Sequence, residues 1–304
     1  LFTEIGSNRF RNLVLALSKD ERYLVNGSDS SFVQVFDLQQ NNKKGVKIKG
    51  HSALVTDIKF LPDNSGFISS SLDRTIRFND HLSGKSRKLV TLPFYLKSID
   101  INAAGNLLAG ASASGQLVIV NLKDNTFTTP IDETPNRVLS VAFHPTRQFL
   151  AYGTESDRMV SGERKTTGMV KIYDLLFNKV TKELSGHKAG IVDLEFSPDG
   201  LLLASAGLDQ KLQMWVVDKE EDLPILMDNN NGYVWDIGFA KGSDYLIASC
   251  NSGEIRIWPT NPKLLADQVC PELKRNMSTD EWEKYVGNNV PFETTCKSLQ
   301  VSDF

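Results

Sequence analysis

Apolar and polar residues alternate along six stretches of the chain. They are Asn12-Leu-Val-Leu-Ala-Leu-Ser18, Val55-Thr-Asp-Ile-Lys-Phe60, Leu96-Lys-Ser-Ile-Asp-Ile101, Val138-Leu-Ser-Val-Ala-Phe143, Ile191-Val-Asp-Leu-Glu-Phe196 and Val234-Trp-Asp-Ile-Gly-Phe239. A period of two is that of a strand with one face in a core. Most stretches are followed by a turn such as Ser197-Pro198-Asp199-Gly200, where proline presets φ and glycine tolerates a positive φ. A second apolar run follows each turn. A third run closes each unit at Asp37, Asp80, Asn121, Asp174, Val216 and Pro259. The pattern predicts sheets throughout residues 1–260, with helical spacing only in the tail, 261–304.

The closing positions lie 43, 41, 53, 42 and 43 residues apart. A unit of that length cannot bury its faces alone, so neighbours must pack on one another. Together with the histidines and aspartates described next, this four-strand unit resembles the WD repeat. The resemblance covers residues 1 to about 260 and implies an all-β propeller, its blades set radially around a channel. It also implies a buried hydrogen-bond quartet of His, Ser or Thr, Asp and Trp. One repeat carries all four as His187, Ser205, Asp209 and Trp215; another has His51, Ser69 and Asp73, with Asn79 at the tryptophan position. Six repeats are visible, and seven blades is the alternative. Leu1-Phe-Thr-Glu-Ile5 could supply the outer strand that the last repeat lacks, removing an open edge. The lysines at 43, 44, 47, 49, 85 and 88, with Arg87, fall on outer strands, where charge protects edges.

Two regions depart from the repeat. The fourth unit is longer than its neighbours, the excess being Ser156 to Gly168 between its second and third strands. By resemblance, that hairpin stands on the face where each first strand begins, the face WD propellers use most often for partners. Residues expected on it are Leu54, Leu72, Phe94, Tyr95, Arg137, Leu208 and Tyr233, with Arg158, Arg164 and Lys165 on the hairpin. Aromatic residues and arginine are enriched in interface hot spots. The tail reads as a cap on the propeller: Pro262 opens one helix and Ser278-Thr-Asp-Glu281 is a capping box for another. It is similar to the tail of bacterial multi-repeat WD proteins, in Cys270, Arg275-Asn276, Glu281-Trp282, Tyr285 and Thr295-Cys296. Several of those are STAND-class signalling NTPases or caspase-like proteases with a C-terminal sensor propeller.

The chain has 304 residues, 40% of them apolar and 23% charged, enough for a large core. Its net charge of -3 gives no global case for nucleic acid. No apolar run approaches the roughly 18 residues of a membrane span. Leu1 stands where a start would have methionine, as in a piece of a longer protein. Three cysteines make no disulfide framework, so a cytoplasmic setting is expected; Cys270 and Cys296 could pair, but free buried thiols are expected in that setting. No phosphate-loop, dinucleotide or nucleophile-elbow motif is present. The four histidines are too scattered for a metal motif. Asp57, Asp193 and Asp236 recur at one strand position and are expected to bind backbone groups beside the channel. The sequons at Asn26 and Asn276 read as chance. The expected function is a protein-interaction module without catalytic residues, cofactor, metal, nucleic acid or membrane, and the tail's resemblance implies the C-terminal sensor propeller of a larger bacterial signalling protein. The alternative is a small-molecule binder or enzyme using the channel mouth.

Overall fold

The computed structural model describes residues 12–28, 31–40, 45–160, 163–219, 223–228, 230–285 and 291–301. Six antiparallel sheets follow one another along the chain. Their third strands end at the six closing positions of the repeat. Blade 2 shows the plan: Val55–Phe60, Phe67–Ser71, Thr75–Asp80 and Lys85–Thr91 pair in that order, the first lining the channel. Five sheets have four strands. The sixth has three among the described residues, Val234–Phe239, Tyr245–Cys250 and Ile255–Pro259. Leu1–Ile5, expected as its fourth, lies outside the described residues, as do Lys43 and Lys44.

Each core lies between two blades. Val25, Val33 and Val35 of blade 1 pack on Val55, Ile58 and Phe67 of blade 2. Ile68 and Ile76 of blade 2 pack on Ile99 and Leu108 of blade 3. The pattern repeats through blades 3 and 4, 4 and 5, and 5 and 6. Each buried Val, Leu or Ile contributes about 1.5–3 kcal/mol. Side chains on the inner strands tie neighbours further. Asp57 accepts from Ile99 N–H at 2.7 Å, Asp100 from Phe143 N–H at 2.7 Å, and Asp193 from Ile237 N–H at 2.8 Å. Ser140 does the reverse, its hydroxyl donating to the Ile191 carbonyl at 2.9 Å.

The ring is weakest between blades 6 and 1. Ile76 and Ile255 hold the same repeat position, yet Ile76 is 1% exposed and Ile255 71%. Ile247 and Ile257 are exposed beside it, and Leu15 and Leu17 of blade 1 likewise. Asp236, at the position of Asp57 and Asp193, makes no such inter-blade bond among the described residues. At the opposite face Lys241 and Glu21 span the seam at 3.7 Å, both well exposed, so this pair adds little.

The excess of the fourth unit is a two-stranded arm, the hairpin expected between its second and third strands. Strands Phe149–Val160 and Glu163–Asp174 have 12 residues each, against 5 or 6 in the matching strands of other blades. Their pairing is continuous from Phe149↔Asp174 to Val160↔Glu163. The inner strand reaches only Arg137↔Glu155 and the outer strand only Gly168↔His187. Beyond those pairs the ribbon stands clear of the blade. Gly168 sits at the departure point, where a Cβ would lie 2.0 Å from the Ala189 carbonyl oxygen.

The tail corrects one expectation. Its helices, Pro262–Val269 and Thr279–Tyr285, bury no residue, and the first meets the propeller at its last strand, Ile255–Pro259. The capping box does form: Glu281 N–H donates to Ser278 Oγ at 3.2 Å and Ser278 N–H to Glu281 Oε2 at 2.9 Å. Trp282 packs edge-on against Phe292, within the tail itself. Cys270 and Cys296 are joined in a disulfide, not free; Cys250 is the free, buried thiol. Asn276 explains the approach. Buried, it bonds Cys296 N–H and donates to the carbonyls of Cys296 and Leu299. Asn276 and Asn26 are both buried, which removes their sequons from the accessible surface.

The seam makes a paired prediction. Ile76→Ala should cost about 2–5 kcal/mol by urea denaturation, whereas Ile255→Ala should change stability by no more than about 0.5 kcal/mol. Equal costs would mean that blade 6 is covered as blade 2 is.

Candidate protein-binding face

The turns that enter the inner strands all lie on one face, and the arm rises from it. Leu54, Tyr95 and Arg137 meet there around a recess of about 820 Å³ at the channel mouth. Leu72 and Tyr233 are exposed on the same face. Arg158 and Lys165 are exposed on the arm, paired across it; the Arg164 side chain lies outside the described positions. Two expected members belong mainly to the packing. Phe94 leans on the core between blades 2 and 3, and Leu208 on that between blades 5 and 6.

Trp235 was missed. It is 53% exposed, lines the recess, and lies 6.5 Å from the Tyr233 ring. Its strand position is held elsewhere by Thr56, Lys97 and Val192, which also face the recess. The signal was a tryptophan at a position that other repeats give to smaller or polar residues.

Beneath this face lie the two histidine networks. In blade 5, His187 Nδ1 lies 2.9 Å from Asp209 and Nε2 lies 2.7 Å from Ser205 Oγ. Trp215 does not complete the quartet by a hydrogen bond. Its Nε1 has no partner, and the indole packs edge-on against His187. Blade 2 is the more complete network. His51 Nδ1 lies 3.1 Å from Asp73, Nε2 lies 2.8 Å from Ser69 Oγ, and Asn79 Nδ2 donates to that same oxygen at 2.9 Å. Asparagine thus does here what the resemblance assigns to tryptophan. Burial lowers the His51 pKa despite the opposing pull of Asp73. The neutral ring can then donate from Nδ1–H and accept at Nε2. Burial would raise Asp73, but hydrogen bonds from the Thr75 hydroxyl and the Ser52 and Thr75 N–H groups outweigh it and hold the pKa at about 2. A depressed carboxylate stabilises the fold above its unfolded pKa, and the contribution is lost as pH falls through about 2.

The channel below the recess is acidic, with Lys59 as its cation among the described residues. Burial raises Asp57 to about 6 and Glu195 to about 7, each offset in part by Lys59. Asp100 is raised by burial, and Asp193 by burial and by the charge of Asp236. Burial works against the Lys59 ammonium, yet the carboxylates of Asp100, Asp57, Asp193 and Glu195 raise its pKa overall. Lys59 was not singled out in the sequence because its position is Asp100 or Glu195 in other repeats. Asp57 and Asp193 bind backbone groups as expected; Asp236 is the exception. Among the described residues, no group of three or more His, Cys, Asp or Glu side chains could hold a metal ion. No described helix is long and apolar enough to cross a membrane.

With this geometry the class is defined: the described residues form a six-bladed β-propeller, and three of its segments match a known repeat. Residues 42–80, 178–216 and 223–259 match the WD domain, G-beta repeat. Each match starts on or just before the outer strand of one blade and ends on the third strand of the next, so every such repeat links two blades covalently. The chain is similar to serine-threonine kinase receptor-associated protein of Mus musculus, 23% identical over 198 residues, covering 65% of this chain and 53% of that protein. It is also similar to Periodic tryptophan protein 2 of Arabidopsis thaliana, 27% identical over 201 residues, covering 65% of this chain and 21% of the relative. Transcription initiation factor TFIID subunit 5 of Caenorhabditis elegans is 24% identical over 232 residues, covering 76% of this chain and 34% of the relative. The chain thus spans about half, or less, of these relatives. All three are eukaryotic, and none supports the bacterial signalling context suggested by the tail.

Two measurements test this site. Ser69→Ala leaves His51 and Asn79 without a shared partner, whereas Ser205→Ala leaves only His187. Urea denaturation should show Ser69→Ala costing roughly 2–4 kcal/mol and Ser205→Ala roughly 1–3 kcal/mol; the reverse order would contradict the networks. The second concerns pH. Glu195 has a raised folded pKa, so its contribution is full below about 4.5 and is lost as pH rises through about 7. Glu195→Gln should therefore lose less Tm between pH 5 and pH 8 than the parent. Superimposable profiles would show that Glu195 is not desolvated.

Proposed function

We propose that the chain is a protein-interaction module that presents its arm-bearing face to a protein or peptide partner. The arm carries this reading. It is the largest departure from the repeat, and it stands beside the exposed Tyr95, Tyr233 and Trp235. An exposed apolar and aromatic patch on a folded surface marks an interaction site more often than not. The contact set is Leu54, Leu72, Tyr95, Arg137, Arg158, Arg164, Lys165, Tyr233 and Trp235, with Phe94 and Leu208 supporting it from below. The names of the relatives fit such a role: one is a receptor-associated protein and another a subunit of a transcription factor.

The reading is non-enzymatic: the recess walls hold no nucleophile with an adjacent base among the described residues. The finer setting we propose is that of a sensor or scaffold segment within a longer protein. The mouth supplies contact area, the arm adds reach, and the blades hold both at fixed spacing. Such preorganisation lowers the ordering cost of association.

The test replaces residues 156–167 by Asn-Gly, which joins the paired residues Glu155 and Gly168 through a two-residue turn. The shortened chain should keep the parent Tm within a few degrees and lose the partners captured by the intact chain. Trp235→Ser should weaken the same partners, and Leu176→Ser, on an exposed turn of the opposite face, should weaken none. Retention of every partner by the arm-less chain would sink this reading.

A further inference from the structure

Two cations stand together on the recess wall where blade 3 meets blade 4. Lys97 immediately precedes the inner strand Ser98–Ile101, and Arg137 opens the inner strand Arg137–Phe143. Asp100 ties these strands side by side by accepting from Phe143 N–H at 2.7 Å. Both cations line the recess. Burial lowers the Lys97 pKa and the nearby Arg137 charge lowers it further, with Glu155 pulling the other way. The same two positions hold Thr56 and Leu54 in blade 2, Val192 and Gly190 in blade 5, and Trp235 and Tyr233 in blade 6, none of them charged. One carboxylate serves both cations. Glu155 accepts from Arg137 Nη1 at 2.6 Å and is buried. A Cβ at Gly190 would lie 2.8 Å from Glu155 Oε1, so this carboxylate is packed against the blade 5 entry and is not free to swing toward Lys97. The half-buried Lys97 has no hydrogen-bond or ion-pair partner among the described residues. Arg137 Nη2 and Nε are likewise unused among them.

We propose that this wall is a carboxylate site: the C-terminus of a peptide or protein partner enters the channel mouth and sets its terminal carboxylate between Lys97 and Arg137. The planar guanidinium donates from Nη2 and Nε to the two carboxylate oxygens, the bidentate geometry arginine favours, while Nη1 stays on Glu155. Lys97 donates from Nζ. Two cations then face two carboxylates, and the repulsion between Lys97 and Arg137 is answered. The last side chain of the partner lies toward Tyr95, which is exposed and lines the same recess. Charge complementarity also limits the ligand. Asp57, Asp193 and Asp236 lie on the remaining wall, so a phosphate backbone or an acidic run continuing past Lys97 meets like charge, which selects against it. A chain end brings one carboxylate and stops. The proposal rests on the arm-bearing face being the binding face and names the group that it takes there.

The test is fluorescence anisotropy on the full chain with a pool of random hexapeptides, labelled at the N-terminus and free at the C-terminus. The same pool amidated at its C-terminus, an amidated pool with one internal glutamate, and an oligouridylate are run alongside. The free-acid pool should bind, weaken as salt rises, and weaken about tenfold or more on amidation, on Lys97→Met and on Arg137→Gln. Lys97→Arg, which keeps the charge, should retain binding. Circular dichroism checks that the variants fold. No binding of the free-acid pool, equal binding of the amidated pool, tighter binding of the glutamate pool or the oligouridylate, or indifference to Lys97→Met would each overturn the proposal. The two readings fail separately. If the free-acid pool does not bind while the arm-less chain loses its captured partners, the face stands and its carboxylate site falls. If the pool binds through Lys97 while the arm-less chain keeps every partner, the carboxylate site stands and the broader function falls.

Discussion

A four-stranded sheet with apolar residues on both faces must have a neighbour on each, and this constraint organises the whole molecule. The five inter-blade cores are its direct expression. Once each blade leans on the next, the inner strands are forced around a channel. Their entering turns then converge on one face, and the arm of blade 4 has one side on which to stand. The seam shows the same constraint unmet. Ile255 is chemically the equal of Ile76 and differs in lacking a covering blade among the described residues.

The same packing sets the electrostatics. Carboxylates that tie one inner strand to the next are drawn out of water, which raises Asp57, Asp100, Asp193 and Glu195 together. Lys59 is held charged among them. The interior of the channel is thus acidic, while Arg158 and Lys165 of the arm are exposed cations. A chain whose net charge is only -3 separates its charge by place, so whole-chain composition says little about the character of the face.

Most of the fold was legible because the constraint is periodic. Closing residues such as Asp80 and Asp174 mark strand ends wherever they recur, and the long fourth unit stood out against that spacing. What was not legible depends on who the neighbour is. Ile255 and Ile76 read alike, so no local pattern distinguishes a covered blade from an open one. Asn79 lacks the indole of Trp215 yet makes the bond that Trp215 does not, because reach and angle decide it more than residue type. Trp235 was hidden inside a strand that matched the repeat. The tail misled in its cysteines: two thiols 26 residues apart do not announce a pair, but buried Asn276 bonds the Cys296 backbone and turns the segment back so that Cys296 meets Cys270.

Hydrogen exchange of the intact chain, resolved strand by strand, tests the central constraint most directly, since protection reports local opening. Blades 2 to 5, covered on both faces, should exchange slowest. Val234–Phe239 and Ile255–Pro259, beside the open seam, should exchange markedly faster. Equal protection around the ring, or slower exchange in blade 6 than in blades 3 and 4, would contradict the claim that inter-blade burial is what holds each sheet in place.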